Sequence, residues 1–193
     1  SLRIIQDKGA QKAFYKAHGI PTAPFEAFDS PTLLAAAVAE GRWTYPFVWK
    51  STRFGYDGNG VKIVRSSQDL HALPEGPCIA EQCAQIDKEL AVIVARSPKG
   101  EVTTYPVVEM EFHPEANQVE YVLCPARIAE NTSLQARQIA LEVAQSFGSI
   151  GLLAVELFLT TKGEIWVNEV APRPHNSGHY SIEASYTSQF EQH

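Results

Sequence analysis

Alternating apolar and polar residues predict strands through most of the chain. Short runs rich in β-branched and aromatic residues recur between turn residues, which is the pattern of half-buried strands. The runs in the first two thirds of the chain are PFVWKS (46–51), VKIV (61–64), CIAEQ (78–82), ELAVIVARS (89–97), EVTTYPVV (101–108) and VEYVLCP (119–125). Two later runs are GLLAVELFL (151–159) and EIWVNEV (164–170). Hairpin turns are predicted at SPKG (97–100) and at Lys162–Gly163.

Three segments have the end signals and the spacing of helices. DKGAQKAFYKAHG (7–19) begins with an acid and ends at Gly19. Ser30 and Pro31 begin a second helix through TLLAAAVAEG (32–41). The third, SLQARQIALEVAQSFG (133–148), has apolar residues at helical spacing and ends at Gly148; they are Ile139, Ala140, Val143, Ala144 and Phe147. Because helices and strands are interleaved without repeats, we expect an α+β fold with largely antiparallel sheets.

Composition narrows the functional classes. The 193 residues are 45% hydrophobic and 20% charged, as in ordinary globular proteins, and the net charge of -6 argues against a nucleic-acid surface. No stretch approaches the ~20 apolar residues of a membrane helix, so we expect a soluble, cytoplasmic protein without membrane contact. Cys78, Cys83 and Cys124 form no CxxC pair and are interpreted as buried thiols in a reducing compartment. The initial Ser1 and the helix-like final residues suggest a piece of a longer chain.

Three glycines, Gly55, Gly58 and Gly60, lie between two predicted strands in KSTRFGYDGNGV (50–61), with Lys50 at the end of the first strand. Glycine lets backbone N–H groups approach an anion closely, and a lysine adds positive charge, so this pattern fits a phosphate-binding loop. DGNG is also a strong hairpin-turn signal, so the segment taken alone favours a plain turn. The segment is neither a Walker motif nor a Rossmann fingerprint, because no Gly-Lys-Ser/Thr and no helix follow it.

Glu156 and Glu169 lie on the two predicted strands that flank the turn at Lys162–Gly163. With a two- or four-residue loop centred there, the two acids face each other, with Cβ atoms roughly 5 Å apart. Two like charges opposite each other among apolar neighbours are unfavourable, and a divalent cation such as Mg²⁺ would remove the repulsion. The alternative is that one acid binds a lysine or arginine while the other reaches solvent.

The segment VNEVAPRPHNSGHY (167–180) concentrates polar groups directly after the last predicted strand. His175 and His179 have the i, i+4 spacing of a helical zinc site, but Pro172 and Pro174 oppose a regular helix up to His175. A turn held by imidazole hydrogen bonds is the structural alternative for both histidines.

Taken together, Lys50 with the glycine loop, EQCAQIDKEL (81–90), the Glu156/Glu169 pair and NEVAPRPHNSGH (168–179) resemble the ATP-grasp superfamily. Within it, the set resembles the 5-(carboxyamino)imidazole ribonucleotide synthases of purine biosynthesis, over essentially the whole chain. Each motif alone is weak, but the ordered set is specific.

The resemblance implies ATP held between two small α+β subdomains: a smaller, lid-like one (20–83) with the glycine loop and a larger one (84–193) with the metal and substrate residues. Glu81 would begin the hinge at the adenine, Glu89 would hold the ribose, and Asn168 would lie beside the nucleotide. The implied nucleotide residues are Lys50, Gly55, Tyr56, Asp57, Gly58, Asn59, Gly60, Glu81, Gln82, Cys83, Ala84, Glu89 and Asn168. Glu156 and Glu169 would ligate Mg²⁺.

The resemblance also implies substrates, bicarbonate and aminoimidazole ribonucleotide. Arg173 and His175 would border bicarbonate and the carboxyphosphate made from it, whereas Asn176, Ser177 and His179 would shape the ribonucleotide side. A competing relative, formate-dependent glycinamide ribonucleotide transformylase, shares Arg-Pro-His but continues with Asp-Thr-Gly. A nucleotide-binding module without catalysis is the alternative outside enzymes, although it would not need the complete phosphoryl-transfer set.

Two departures from the family pattern affect these expectations. Phe54 replaces the first glycine of the loop, Asn59 a lysine and Val61 a glutamine, so a positive charge is lost for which Lys62 is a candidate replacement. The family also has N-terminal and C-terminal parts that these residues lack. We therefore expect this chain alone to bind Mg-ATP weakly and not to complete the reaction; a homodimer of the full-length protein is compatible with the sequence.

Overall fold

A computed structural model describes residues 2–53, 60–112 and 119–193. The chain begins with two helices, α1 (Leu2–Ile5) and α2 (Lys8–Ala17). The Asp7 carboxylate caps α2 by accepting a hydrogen bond from the Ala10 amide at 3.0 Å. After α2, Gly19 takes a left-handed φ of 67°. The acidic start and glycine end predicted for this helix are confirmed.

The first sheet lies in residues 25–82 and has four strands in the order β1-β4-β2-β3. Its strands are β1 (Phe25–Phe28), β2 (Phe47–Ser51), β3 (Val61–Val64) and β4 (Cys78–Gln82). Helices α3 (Pro31–Ala39) and α4 (Ser67–His71) pack on one face, over a core that includes Leu34, Phe47 and Trp49. The opposite face carries Lys50 and Glu81, because side chains alternate along each strand and Glu81 pairs with Val48.

The second sheet has six strands, ordered β10-β9-β5-β7-β8 with β6 also paired to β5. Its strands are β5 (Ile86–Arg96), β6 (Val102–Thr104), β7 (Val108–Phe112), β8 (Val119–Leu123), β9 (Gly151–Thr160) and β10 (Ile165–Ala171). Helix α5 (Glu130–Phe147) covers one face through Ile139 and Val143, which pack with Leu90 and Val155. All strand pairs in the described residues are antiparallel, as the sequence predicted.

The structure differs from the predicted elements in a few places. Helix α5 begins at Glu130, ahead of the predicted start at Ser133. The predicted run 101–108 is divided between β6 and the start of β7, because Pro106 has no amide hydrogen to donate to a ladder. The short strand β1 and helix α4 had no clear sequence signal.

Helix α2 contacts both sheets. At its first turn, the Lys8 amide donates to the Thr52 carbonyl at 2.9 Å, beside the end of β2. Two turns further on, Tyr15 is fully buried in the core of the larger sheet. The charged face of the small sheet therefore lies next to the larger sheet. The division of the chain into parts 20–83 and 84–193 stays a prediction.

The last residues form short helices beyond β10: a 3-10 turn (Asn176–Gly178), α6 (Ser181–Ala184) and α7 (Gln189–Gln192). Gly178 approaches so closely that a Cβ on it would overlap Ile93 and Gln189. Gln189, which is fully buried, donates to the His175 carbonyl at 2.8 Å and accepts from the His175 amide at 2.9 Å. The polar segment is thereby fixed onto the larger sheet.

The cysteines are not all buried. Cys78 lies in a core and Cys83 is half-buried, but Cys124 is exposed, so the prediction of three buried thiols is wrong for Cys124. It follows β8 at the edge of the larger sheet, where no further strand covers it in the described residues. Among the helices that the structure describes, none combines the length and apolarity needed to span a bilayer.

Candidate functional site

The two predicted metal ligands lie together at a β-bulge between β9 and β10. Near the turn Ile165 pairs with Leu159, but beyond the bulge Val170 pairs with Val155, so one residue is inserted in β10. Glu156 on β9 is therefore opposed by two residues, Asn168 and Glu169.

The predicted register of this hairpin is wrong at the turn and right beyond the bulge. The Thr160 amide donates to the Glu164 carbonyl at 2.8 Å, which closes a three-residue loop with Gly163 in the left-handed region. A loop with an odd number of residues shifts the pairing by one position from that of an even loop. The bulge shifts it back, and Glu169 returns to face Glu156.

Each of the two carboxylates has a cation or imidazole beside it. Glu169 forms an ion pair with Lys8, and its side chain is 39% exposed. Glu156 Oε1 lies 3.1 Å from His175 Nε2, and Glu156 Oε2 accepts from Asn168 Nδ2 at 3.4 Å. Burial alone would raise the pKa of Glu169, but Lys8, Lys50 and His175 outweigh it and hold that pKa below its usual value. The alternative of one acid held by a lysine thus describes Glu169, while Mg²⁺ ligation stays a prediction.

Lys50 connects the small sheet to this bulge. Its Nζ donates to Asn168 Oδ1 at 3.0 Å and lies 2.9 Å from Glu81 Oε2. The other oxygen of Glu81 lies 3.1 Å from Lys12 Nζ. Burial would raise the pKa of Glu81, but Lys50 and Lys12 overcome it and keep the pKa below normal. The structure thus brings Lys50, Asn168 and Glu81 together.

Glu89 lies on the same face of the large sheet as Glu156, because Ala91 pairs with Glu156 and Glu89 pairs with the next residue on that face, Phe158. Burial and the neighbouring Glu156 raise the pKa of Glu89 to about 7, against the opposing effect of Lys50. Its proposed contact with a ribose stays a prediction.

A small cavity of about 260 Å³ opens beside the predicted hinge segment. It is lined by Gln82, Cys83, Gln85, Thr160, Thr161, Lys162, Glu164 and Trp166. Two of the predicted adenine-binding residues, Gln82 and Cys83, thus line a concave surface next to an aromatic ring, and Ala84 lies between Cys83 and Gln85 along the chain. The Glu81 side chain points instead into the lysine pair.

A larger cavity of about 490 Å³ lies between α2, β1 and α3. Its lining includes Asp7, Asp29 and Arg42, which lie just outside these elements, and none of the predicted site residues. We therefore place the candidate site at the convergence of charged side chains rather than in this cavity.

His175 is held by the turn that follows it. Its side chain caps the 3-10 turn, with Nδ1 2.9 Å from the Ser177 hydroxyl. Ser177 is only 1% exposed, so its hydroxyl orients the imidazole. His175 therefore holds a turn through its imidazole hydrogen bonds and also lies at the candidate site, beside Glu156. The ribonucleotide contact predicted for Ser177 stays a prediction.

The remaining residues of the segment lie at the surface. Arg173 is exposed and donates to the Pro174 carbonyl at 3.0 Å, and Asn176 is also exposed. His179 is exposed and stacks on Phe190, with ring centroids 6.0 Å apart. No group of three or more metal-ligating side chains occurs in residues 2–53, 60–112 and 119–193, so the zinc alternative gains no third ligand there.

The glycine loop lies mostly outside the described residues. Gly55, Tyr56, Asp57, Gly58 and Asn59 fall in the gap, whereas Gly60 has a φ of 79° and its carbonyl accepts from the Ser51 amide at 2.9 Å. The loop joins two paired antiparallel strands, since Lys50 pairs with Val61. Lys62 pairs with Trp49 and so lies on the face opposite Lys50. It does not replace the missing loop charge from that position.

Sequence reasoning missed two residues of the site, Lys8 and Lys12. Both lie in α2, outside every motif considered, and reach the site only because α2 packs beside both sheets. Lys12 and Tyr15, three positions apart, are both buried. A lysine on the buried face of an amphipathic helix was the available signal.

The chain is similar to known proteins over its whole length. The family model described as ATP-grasp domain matches residues 13–190. The chain is 39% identical over 196 residues to the N5-carboxyaminoimidazole ribonucleotide synthase of Bacillus subtilis, covering 100% of this chain and 50% of that protein. It thus spans about half the length of that relative.

Solved structures of related proteins have the same fold as this chain. The N5-carboxyaminoimidazole ribonucleotide synthetase of Thermotoga maritima superposes with a TM-score of 0.86 at 45% identity, covering 100% of this chain and 48% of that one. A synthase from Aspergillus clavatus, in complex with ADP and 5-aminoimidazole ribonucleotide, has a TM-score of 0.88 at 34% identity, covering 99% of this chain and 50% of that one.

Proposed function

This chain belongs to the ATP-grasp family, and we propose that it is the ATP-binding core of an enzyme that carboxylates 5-aminoimidazole ribonucleotide with bicarbonate. One observation carries the proposal, a continuous row of contacts across the site. Lys50 contacts Asn168 at 3.0 Å, Asn168 contacts Glu156 at 3.4 Å, and Glu156 contacts His175 at 3.1 Å. The row joins a cation suited to phosphate, a carboxylate suited to a metal and an imidazole suited to proton transfer.

The nucleotide would lie at the Lys50 end of this row. The cavity at Gln82 and Cys83 suits a planar base beside Trp166. Glu89 lies on the same face of the larger sheet as Glu156. Lys50 would then reach the phosphates, together with the glycine loop. The ADP bound in the Aspergillus clavatus relative supports this assignment, since that protein has the same fold over nearly the whole of this chain.

The residues at the bulge fit Mg²⁺. Glu156 and Glu169 offer carboxylate oxygens from adjacent strands, and such oxygens are the hard ligands that Mg²⁺ prefers. In this structure Glu156 lies beside His175 and Glu169 beside Lys8. We therefore assign Mg²⁺ to these two residues, with bound phosphates completing its ligands. When bound, it would neutralise charge on the phosphoryl group being transferred.

Bicarbonate would react at the His175 end of the row. It is a poor electrophile, and transfer of the γ-phosphoryl group to one of its oxygens creates carboxyphosphate, in which phosphate is a leaving group. Arg173 would bind the anion, and His175, held by Ser177 and Glu156, would accept the proton lost when the exocyclic amine of the ribonucleotide attacks the carboxyl carbon. Asn176 and His179 are assigned to the ribonucleotide side because they are exposed next to His175.

The test is bicarbonate-dependent ADP release, measured with and without aminoimidazole ribonucleotide on a chain of the relatives' full length that contains these residues. The proposal expects release that requires both compounds. Release with formate and glycinamide ribonucleotide instead would identify the transformylase alternative. ATP binding without any turnover would favour a nucleotide-binding module and would contradict the proposal.

A further inference from the structure

A buried group of three charges lies between α2 and the two sheets. The Glu81 carboxylate has one lysine on each oxygen, Lys12 at 3.1 Å and Lys50 at 2.9 Å. The side chains of Lys12 and Glu81 are each 3% exposed, and that of Lys50 is 10% exposed. One carboxylate is thus shared by two ammonium groups, and the trio carries one excess positive charge.

The two lysines differ in how their donors are used. Lys12 Nζ lies 2.6 Å from Thr22 Oγ1 and 3.4 Å from the Val167 carbonyl oxygen, besides Glu81. The Thr22 and Val167 contacts are hydrogen bonds, whereas the Glu81 contact is an ion pair between opposite charges. Lys50 contacts two oxygens among the described residues, on Glu81 and Asn168. Among the described residues, Lys12 Nζ thus contacts three oxygens and Lys50 Nζ only two, so Lys50 is the less completely surrounded of the two lysines.

Lys12 is also fixed in place by backbone contacts. The Thr22 hydroxyl donates to the Val167 carbonyl at 2.7 Å, and the Val167 amide donates to the Pro21 carbonyl at 2.7 Å. The segment at Pro21 and Thr22 thus pairs with β10 directly before the bulge that carries Asn168. These contacts hold Lys12 on the edge of β10, away from the open side of the site.

We infer that Lys12 is a positioning residue: by neutralising Glu81, it leaves Lys50 able to turn toward the phosphates of a bound nucleotide. A buried carboxylate with a single counter-ion holds that ion tightly, because separating the two leaves an unpaired buried charge. With Lys12 on the second oxygen, Glu81 stays paired when Lys50 moves. This inference rests on the proposed nucleotide site and adds a residue outside it.

The test compares the Mg²⁺-dependent affinities for a nonhydrolysable ATP analogue and for adenosine, by titration calorimetry on this chain. Lys12→Met should weaken binding of the ATP analogue about tenfold and that of adenosine less than about twofold, because only the phosphates need Lys50. Lys12→Arg, which keeps the charge, should retain most of the affinity. The matched control is Lys16→Met, which removes an exposed lysine from the same helix.

A double-mutant cycle shows whether Lys12 acts through Lys50. In a chain that already carries Lys50→Met, Lys12→Met should change ATP-analogue affinity less than about twofold. An undiminished loss in that background would mean a direct or long-range effect and would overturn the inference. So would an equal loss for adenosine, or no loss for the ATP analogue in a folded Lys12→Met chain.

If Lys12→Met does not fold, as circular dichroism would show, Lys12→Met/Glu81→Gln replaces it, because no buried carboxylate then needs a partner. Its ATP-analogue affinity should equal that of Glu81→Gln, and a tenfold difference would overturn the inference. Failure of the proposed function is separate: the unaltered chain would then bind the ATP analogue no better than adenosine.

Discussion

His175 Nε2 lies 3.1 Å from Glu156 Oε1, so the polar segment after β10 is joined to the middle of β9. Two residues to which the resemblance assigned neighbouring roles, His175 beside bicarbonate and Glu156 at the metal, therefore meet in one contact. The Ser177 hydroxyl, 2.9 Å from His175 Nδ1, fixes the other side of the ring. The imidazole that we propose to accept a proton is thereby held beside the carboxylate proposed to bind the metal.

Glu169→Gln should remove Mg-ATP turnover and leave the fold intact. The amide keeps the shape but loses the charge that would bind the metal, so we expect a loss of about 100-fold or more in ADP release by a chain of the relatives' full length. Stability should change by less than about 1 kcal/mol, because the side chain is 39% exposed. Glu142→Gln, an exposed site on α5, is the control. Unchanged ATP hydrolysis in the Glu169 variant would rule out the metal pair.

Arg173→Ala should lose bicarbonate-dependent turnover while nucleotide binding is kept. The exposed guanidinium, two residues before His175 in the chain, is assigned to the carboxyphosphate, so ADP release by a chain of the relatives' full length should fall about 100-fold. Affinity for an ATP analogue should change less than about twofold. Arg137→Ala, at an exposed position of α5, controls for lost positive charge. A collapse of nucleotide affinity would show that Arg173 belongs to the ATP site.

Gly178→Ala should destabilise the segment that holds His175. The added methyl group would overlap Ile93 and Gln189, and the Gln189 side chain hydrogen-bonds to both the amide and the carbonyl of His175. We expect a loss of about 1–3 kcal/mol in urea unfolding, typical of overpacking in a filled core. Asn176→Ala, an exposed change in the same turn, should be nearly neutral. Equal stability of the two variants would mean that the close approach is not required.

Acid should weaken a separate charge network at β7. Arg127, with Lys88, holds the pKa of Glu109 at about 2, below its usual 4.5. Because the folded-state pKa is depressed, this contribution is complete above about pH 4.5 and is lost as the pH falls toward 2. Glu109→Gln should cost about 1 kcal/mol at pH 7, a reduced value since Arg127 is largely exposed, and almost nothing at pH 2. Urea unfolding at both pH values checks this; a cost independent of pH would contradict it.

Nucleotide should protect Cys83 from a maleimide. Cys83 lines the cavity assigned to adenine, whereas Cys124 is exposed elsewhere and serves as an internal control. At an ATP-analogue concentration about ten times Kd, labelling of Cys83 should slow about tenfold, since only the free fraction reacts. Labelling of Cys124 should be unaffected, as peptide mass spectrometry would show. Equal labelling of Cys83 with and without nucleotide would place the base elsewhere.

The sequence alone determined the elements whose causes are local. Asp7 and Ser30 cap helices by bonding amides three residues on, and Gly148 ends α5 in a left-handed conformation that favours glycine. Alternating side chains specified the strands, and the ordered motifs indicated the family. These features depend on neighbours within one turn or one strand, so they can be derived without the fold.

Only the tertiary structure decided how the site is assembled. The bulge that gives Glu156 two opposing residues, Asn168 and Glu169, compensates for a three-residue turn that the hairpin signal did not specify. Lys12 meets Glu81, and His175 meets Glu156, through the packing of a helix and a loop onto strands distant in sequence. Such contacts depend on how whole elements pack and which charges they bury together, and no local propensity encodes that arrangement.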